Sequence, residues 1–241
     1  MSDGKELTTK EEKRELFEKM GVDILVEYPM DGNTAKMTPE DFVSKVLVEQ
    51  FQAAYIAAGT DVSFGYKGAG NASLLQKMAL EYGYEVRLID KICLEGKEIS
   101  STYVRETVEK GDVALAGKLL GELYFVSGTV VHGKKLGRTL GFPTVNLIPE
   151  ESKLMPRSGV YRSLVTVDGK EYKGISNVGY KPTVSKDKTV CGVETYIYDF
   201  EEDVYGKKIK VSFCEFCRPE KKFDSVEALK EQIRQDMLQN W

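Results

Sequence analysis

Residues 128–148 read G-T-V-V-H-G-K-K-L-G-R-T-L-G-F-P-T-V-N-L-I, and this stretch decides how the second half of the chain folds. Three glycines stand four residues apart with cations between them, and a proline, a hydroxyl and an amide follow: Gly133, Gly137 and Gly141; Lys134, Lys135 and Arg138; Pro143, Thr144 and Asn146. Glycine lets backbone N–H groups approach phosphate oxygens, since no Cβ stands in the way. Threonine and asparagine offer oxygen ligands to Mg²⁺. The clustering predicts a nucleotide-phosphate site, whereas the glycine spacing alone would favour a plain β-hairpin loop.

The composition narrows the class of protein. The chain has 241 residues, enough for one large domain or two small ones, and its net charge of -4 argues against a general nucleic-acid-binding surface. No apolar run approaches the roughly 20 residues of a membrane-spanning helix. The first residues, M-S-D-G-K-E-L-T-T-K, do not resemble a signal peptide. We therefore expect a cytoplasmic protein, a monomer in preference to an oligomer, without nucleic-acid or membrane partners.

The four cysteines give little support to a metal or redox site. Cys214 and Cys217 form a C-x-x-C within an alternating, strand-like run, and the single histidine is His132. Strict alternation would put two thiols three residues apart on opposite faces of the strand, a poor chelate. We expect these cysteines, with Cys93 and Cys191, to be reduced structural thiols.

The first half alternates helices with short apolar strands. Helices are predicted from a capping box at Thr9–Glu12, after Thr38 with Pro39 at the first position, around residues 74–79 up to Gly83, and over residues 101–109 and 113–120. Strands are predicted over residues 22–28, 54–58 and 84–89. This order is typical of an α/β domain with a parallel sheet. Because the series opens on a helix, the first strand and phosphate loop of such a domain are expected to be missing, which leaves an incomplete Rossmann-like domain.

After Gly121 the pattern changes to period-two strands. They are predicted over residues 124–132, 159–167, 171–177, 189–200 and 207–216, with a hairpin at Asp168-Gly169. Five or six antiparallel strands at this pitch indicate a small β-barrel. A last helix is expected after a cap at Asp224, with Leu229, Ile233 and Met237 on one face. We predict an α/β domain over residues 1–122 and an all-β domain over residues 123–241.

The barrel half resembles riboflavin kinase, and the whole chain resembles the bacterial bifunctional riboflavin kinase/FAD synthetase. The segments that carry the resemblance occur in family order between residues 131 and 223: V-H-G-K-K-L-G-R-T-L-G-F-P-T-V-N, S-G-V-Y, I-S-N-V-G-Y-K-P-T, V-E-T-Y-I-Y-D-F, Y-G-K-K-I and R-P-E-K-K-F. The resemblance implies a six-stranded antiparallel Greek-key barrel with a C-terminal helix. It also implies transfer of the γ-phosphate of ATP to the 5′-hydroxyl of riboflavin, which gives FMN and uses Mg²⁺.

The resemblance implies roles for individual residues. Glu194 is the expected base, Thr144 and Asn146 are the expected Mg²⁺ ligands, and the ATP phosphates are expected to lie on Gly133, Lys134, Lys135, Gly137, Arg138, Gly141 and Pro143. Loops that contact flavin and nucleotide are expected to contribute Tyr161, Asn177, Gly179, Pro182, Thr183 and Arg218. Three of these residues have plainer alternatives: an outward strand carboxylate for Glu194, and turn formation for Thr144 and Asn146. His132 could carry a proton, but it precedes a glycine turn, so we expect it to be structural or to position the loop.

The first half resembles the adenylyltransferase module that makes FAD from FMN and ATP. The family places Ser100, Ser101, Thr102 and Arg105 on ATP phosphates at a helix N-terminus, although Ser100 or Ser101 could equally be an ordinary helix cap. The family's G-x-F-D-G-x-H-x-G-H loop does not occur in these 241 residues. We therefore expect FAD synthesis to be weak or absent, unless a missing segment is supplied.

Two other functions fit the same residues less well. A flavin- or nucleotide-binding module without turnover is one alternative, and a Mg²⁺-dependent kinase for another small alcohol is a second. The complete set of kinase-motif residues favours a working riboflavin kinase.

Overall fold

In the computed structural model of this chain, residues 4–32, 34–133, 141–182 and 189–238 are described. Residues 22–99 form one compact unit, and the segments before and after them in the sequence form the other. These units do not coincide with a division after residue 122, because the first helix and the helices over residues 101–120 belong with the barrel. The predicted boundary after residue 122 describes where the sequence changes from one family to the other. The compact units do not test that boundary, so it stays a prediction.

The elements of the described residues are named here in chain order. The helices are α1 (Lys10–Lys19), α2 (Pro39–Asp41, continued by a π-helical stretch, Phe42–Gln50), α3 (Ala72–Tyr82), α4 (Ser101–Glu109), α5 (Val113–Leu120) and α6 (Val226–Leu238). The strands are β1 (Tyr55–Gly59), β2 (Ser63–Phe64), β3 (Gly70–Asn71), β4 (Glu85–Ile89), β5 (Cys93–Leu94), β6 (Lys97–Glu98), β7 (Phe125–Thr129), β8 (Thr144–Leu147), β9 (Gly159–Val167), β10 (Lys170–Pro182), β11 (Thr189–Ile197) and β12 (Lys208–Arg218). Within these residues, no helix combines the length and apolar character that crossing a bilayer requires.

The unit of residues 22–99 contains a parallel pair, β1 and β4, as the helix–strand alternation predicted. Val43 of α2, Leu75 and Met78 of α3, and Tyr84 form its small buried core. Helix α3 ends at Gly83, whose φ of 76° is left-handed and therefore suits glycine at a helix end. The predicted helix and strand positions around this pair are confirmed.

The strand predicted over residues 22–28 is wrong. The segment has no regular secondary structure, and its apolar side chains are largely exposed, Ile24 by 79%. A strand needs a neighbouring edge to pair its N–H and C=O groups. Within the described residues, β1 and β4 pair only with each other, so this apolar run has no partner strand. The composition of residues 22–28 alone could not reveal that a partner strand is missing.

The second unit is built on a six-stranded antiparallel barrel in the order β7-β12-β9-β10-β11-β8. The predicted hairpin at Asp168–Gly169 is confirmed, and positive φ at both residues (47° and 78°) is typical of a type I′ turn. The chain neighbours β7 and β8 stand at the two ends of this order, and a bridge between Val131 and Asn146 joins them. The six-stranded antiparallel barrel with a C-terminal helix is therefore confirmed.

Strand β12 carries both cysteines of the C-x-x-C at irregular positions. Its pairing with β9 shifts register between Phe213 and Glu215, and again between Phe216 and Arg218, so Cys214 and Cys217 each sit in a bulge. The strict alternation assumed from the sequence does not hold between them. Burial raises the pKa of both thiols, which keeps them protonated and poor nucleophiles.

Helix α1 is tied to the barrel through Glu12, the residue that also closes its capping box. One carboxylate oxygen of Glu12 accepts from the Ser127 N–H at 3.0 Å, and the other accepts from Lys153 Nζ at 2.6 Å. The Lys153 ammonium also donates to the Leu7 carbonyl at 2.7 Å. Both charged side chains are only 1% exposed. A buried, hydrogen-bonded ion pair of this kind fixes where the helix packs.

The Glu12–Lys153 pair predicts how three variants should change the free energy of unfolding. Glu12→Gln or Lys153→Met alone leaves a buried charge without its partner, so each should lower the free energy of unfolding by about 3 kcal/mol. The double variant removes both charges and should lose clearly less than the sum of the two. Equilibrium urea unfolding measures all three, with the exposed Glu11→Gln as a control expected to change little. If the double variant lost as much free energy of unfolding as the two single variants together, the two side chains would not be coupled.

Candidate active site

A row of side chains crosses five neighbouring strands of the barrel. Asn146 of β8 pairs with Glu194 of β11, which pairs with Asn177 of β10. Asn177 pairs with Val160 of β9, and Val160 pairs with Arg218 of β12. Residues directly opposite each other in antiparallel strands project to the same face. The row therefore lies on a single face of the barrel.

That face is the outer one. The next residues along the strands, Leu147, Thr195, Ser176 and Tyr161, are almost completely buried inside the barrel. Because side chains alternate along a strand, the row that contains Glu194 points outward. Glu194 is nevertheless not a free surface carboxylate, since it takes part in an interaction within the chain. Sequence alternation alone could not distinguish these two situations.

Helix α6 lies over this face, and a half-open cavity of about 350 Å³ lies between the helix and the strands. The cavity wall is apolar on several sides, with Phe142, Ile175, Tyr196, Leu229 and Ile233. Its polar wall contains four residues that the sequence singled out: Thr144, Asn177, Glu194 and Arg218. Residues from distant parts of the chain are thus brought together around one cavity of the size that a small molecule needs.

The two expected metal ligands lie on β8, two residues apart and so on the same face. Thr144 lines the cavity, and Asn146 stands beside Glu194 in the row. The Asn146 carbonyl accepts from the Val131 N–H at 2.9 Å, which anchors the start of the glycine loop. A Cβ on Gly133 would lie 2.5 Å from the Asn146 side-chain nitrogen. A side chain at 133 would therefore have to displace the Asn146 side chain.

Thr144 also borders a second cavity of about 290 Å³. This cavity contains Pro143, Val204 and Tyr205, and the consecutive acidic residues Glu201, Glu202 and Asp203 line it as well. The His132 ring stacks on Tyr205 with centroids 3.9 Å apart, which supports the structural role weighed for this histidine. Thr144 thus lies between two cavities.

Two contacts hold the roof of the larger cavity, and the sequence did not point to either partner. Arg218 forms a bidentate ion pair with Asp236 of α6, at 2.8 and 2.5 Å, and Asp236 is 6% exposed. The Asn177 side chain donates to Glu220 at 3.1 Å. Asp236 could have been suspected, because it follows Ile233 by three residues on the same face of the helix. Glu220 stood within the R-P-E-K-K-F segment without an assigned role.

The start of α6 differs from the prediction. The Ser225 hydroxyl accepts from the Ala228 N–H at 3.1 Å, so Ser225 and not Asp224 caps the helix. Both residue types are good caps, and the choice depends on where the chain leaves the barrel. Leu229 and Ile233 face the cavity as their spacing predicted.

The remaining predicted residues of the kinase site are spread more widely. Tyr161 lies inside the barrel, donates to the Arg157 carbonyl at 2.6 Å and does not line the cavity. Burial raises the pKa of Tyr161 well above its usual range, so its hydroxyl stays a donor. Gly179 packs against the Glu220 carboxylate, and Gly141 has a left-handed φ of 86°. Pro182 ends β10.

Five predicted residues lie outside the described part of the chain. They are Lys134, Lys135, Gly137, Arg138 and Thr183. Their assignment to ATP phosphates and to the flavin and nucleotide loops stays a prediction.

The residues expected on adenylyltransferase phosphates lie at the start of α4. The Ser100 hydroxyl accepts from the Tyr103 N–H at 3.2 Å, so Ser100 is the N-cap of the helix, as the plainer alternative proposed. Ser101 and Thr102 are exposed on the first turn. The Arg105 guanidinium donates to the Lys5 carbonyl. In this unit Arg105 therefore holds the N-terminal segment.

Comparison with known proteins gives a consistent result. A family model described as Flavokinase, riboflavin kinase, matches residues 120–240, and one described as FAD synthetase matches residues 1–103. A bifunctional riboflavin kinase/FMN adenylyltransferase from Listeria monocytogenes is 38% identical over 232 residues, which are 96% of this chain and 73% of that protein. The protein of the same name from Escherichia coli K12 is 36% identical over 96% of this chain and 74% of its own length.

A solved structure resembles the whole chain. The crystal structure of a macrolide-efflux protein from Streptococcus pneumoniae superposes with a TM-score of 0.86 and is 31% identical, covering 98% of this chain and 76% of that one. The two family matches and the relatives that align along nearly the whole chain lead to one conclusion. The chain belongs to the bifunctional riboflavin kinase/FMN adenylyltransferase family.

Proposed function

We propose that the cavity beneath α6 is the site at which this chain transfers the γ-phosphate of ATP to the 5′-hydroxyl of riboflavin and so makes FMN. The observation that carries the proposal is the row across the barrel, in which Glu194 stands between Asn146 and Asn177 at the edge of a half-open, largely apolar cavity. Membership of the riboflavin kinase family supports the identity of both substrates.

The apolar wall suits the flavin ring. Phe142, Ile175 and Tyr196 lie on the barrel side, while Leu229 and Ile233 lie on α6. A planar, mostly apolar ring between these two walls would leave its polar ribityl chain directed towards Thr144 and Glu194. Ligand sites commonly combine apolar walls with a few well-placed polar groups in this way.

Glu194 is proposed as the group that accepts the proton of the ribityl hydroxyl. Phosphoryl transfer depends mainly on alignment of the attacking oxygen and on neutralisation of phosphate charge. A carboxylate held by strand pairing on both sides can orient that hydroxyl with little loss of entropy on binding. The proton then stays on the carboxylate while the new oxygen–phosphorus bond forms and the bond to ADP breaks.

Thr144 and Asn146 fit a magnesium ion that arrives with the nucleotide. Both offer neutral oxygen ligands, which bind Mg²⁺ weakly unless phosphate oxygens complete its shell. Gly133 supports the fit, since it leaves the Asn146 side chain uncovered where a Cβ would displace it. Bound there, Mg²⁺ would neutralise charge on the phosphate oxygens.

The second cavity beside Thr144 is proposed for the adenosine end of ATP. Its apolar residues can contact the base, and the carboxylates of residues 201–203 can accept hydrogen bonds from ribose hydroxyls. The same carboxylates repel phosphates, which favours a nucleotide whose phosphates point towards Thr144 and the flavin. The two cavities would then place donor and acceptor on either side of one threonine.

Substitution of Glu194 tests the role of the base. Glu194→Gln keeps the size of the side chain but cannot take up the proton, so kcat should fall by about 10²–10⁴-fold while riboflavin still binds. Steady-state FMN formation and flavin fluorescence titration give the two quantities. Glu171→Gln, an exposed carboxylate on the neighbouring strand β10, is the matched control. An unchanged kcat in Glu194→Gln would contradict the proposal. If the wild-type protein binds riboflavin but makes no FMN, the binding-module alternative is favoured.

A second variant tests the metal assignment. Gly133→Ala introduces a Cβ that must displace the Asn146 side chain, so the Mg²⁺ concentration for half-maximal activity should rise about tenfold or more, with a smaller effect on riboflavin binding. Gly128→Ala is the control, because a Cβ there meets only Leu147 at an ordinary 3.7 Å. Equal Mg²⁺ dependence in both variants would argue against Asn146 as a ligand.

A further inference from the structure

Three hydroxyl groups form a continuous hydrogen-bonded chain inside the barrel. The Ser163 and Ser176 hydroxyl oxygens are 2.7 Å apart, and those of Ser176 and Thr195 are also 2.7 Å apart. The three side chains are at most 1% exposed. The chain therefore spans β9, β10 and β11 without contact with solvent.

The geometry of the hydroxyl chain depends on a glycine. Ser176 is directly opposite Thr195, but Ser163 is opposite Gly174 and reaches Ser176 diagonally. A Cβ at Gly174 would lie 2.8 Å from the Tyr196 carbonyl and 3.2 Å from the methyl group of Thr195. The absence of a side chain at 174 thus leaves space for the hydroxyls to meet.

Apolar side chains could fill the space that these hydroxyls occupy. A buried hydroxyl is costly unless it is hydrogen-bonded, and an apolar group of the same shape can replace a bonded pair at little cost. The neighbouring interior positions of the same strands are filled by Val165, Val178 and Val193, all fully buried. A valine at 195 would match the shape of threonine. The hydroxyl chain adds directional bonds where packing alone would have sufficed.

The hydroxyl chain lies directly behind the proposed active-site row. Ser176 and Thr195 are opposite each other, and the next pair along the same two strands is Asn177 with Glu194. Since side chains alternate, the hydroxyl pair points inward and the pair containing Glu194 points outward from adjacent positions of one backbone. A shift of one residue between the strands would turn each side chain to the wrong face. A bond on the inner face therefore restrains the outer pair.

We infer that Ser163, Ser176 and Thr195 are positioning residues for phosphoryl transfer, which hold β11 against β10 so that Glu194 keeps its alignment with the ribityl hydroxyl. This inference rests on the proposed role of Glu194. Ser163 and Thr195 do not line the proposed substrate cavity; Ser176 borders it, but its side chain is fully buried and bonded to the other two hydroxyls. Their effect is exerted through the strand backbone.

Thr195→Val is the direct test, since it removes the hydroxyl and keeps the shape. A misalignment of Glu194 should lower kcat for FMN formation by about 10- to 100-fold, with little change in the KM for riboflavin or ATP. The midpoint of thermal unfolding should fall by only a few degrees, because the Ser176 hydroxyl keeps its bond to Ser163. Thr195→Ser keeps the hydroxyl and should restore most of kcat. A normal kcat in Thr195→Val, or failure of Thr195→Ser to restore it, would overturn the inference.

Two further variants keep the test decisive. Ser212→Ala removes a buried hydroxyl on β12 that does not belong to the hydrogen-bonded hydroxyl chain, and it should leave kcat unchanged. An equal loss of kcat in Ser212→Ala would indicate a general structural effect and overturn the inference. If Thr195→Val does not fold, Ser163→Ala replaces it with the same expected fall in kcat, because Ser163 does not line the cavity. Glu194→Gln separates the two proposals. If it stays active, the proposed base is wrong; if it is inactive while Thr195→Val is fully active, only the positioning role fails.

Discussion

The pairing register of β11 is the constraint on which the site depends. Glu194 has Asn146 on one side and Asn177 on the other only because β11 pairs with β8 and β10 in this register. Antiparallel pairing fixes which residues stand opposite each other and which face they share. A carboxylate, two amides and the neighbouring Thr144 are thereby gathered from three strands without a dedicated loop. The hydroxyl chain on the inner face acts on the same pairing.

The roof over this face depends on a different kind of contact. Arg218 continues the row at the end of β12 and at the same time forms the ion pair with Asp236 of α6. One arginine thus joins the floor of the cavity to its cover. Charge-assisted, bidentate pairs of this type are strong and directional, so the position of α6 is well defined relative to Glu194. The apolar residues of α6 then complete the wall.

Much of this arrangement could be predicted from the sequence, for identifiable reasons. The period-two pattern and the Asp168–Gly169 turn are local signals, and local signals specify strands and turns well. Glu194 could be selected only through its family motif. Its outward direction becomes informative when α6 is known to cover that face.

What the sequence could not provide depends on distant parts of the chain. The apolar segment 22–28 has strand composition but no strand beside it. Tyr161 belongs to a family motif, yet the alternation of β9 directs it into the barrel interior. The bulges at Cys214 and Cys217 and the partnership of Arg218 with Asp236 arise from tertiary contacts. Such features follow from pairing and packing, which single-sequence patterns do not encode.

Product analysis tests the central claim most directly. The purified chain would be incubated with riboflavin, ATP and MgCl₂, and riboflavin, FMN and FAD would be separated chromatographically. The account predicts that FMN accumulates and that FAD does not. Absence of FMN from a folded sample that binds riboflavin would contradict the assignment of a working kinase to this barrel.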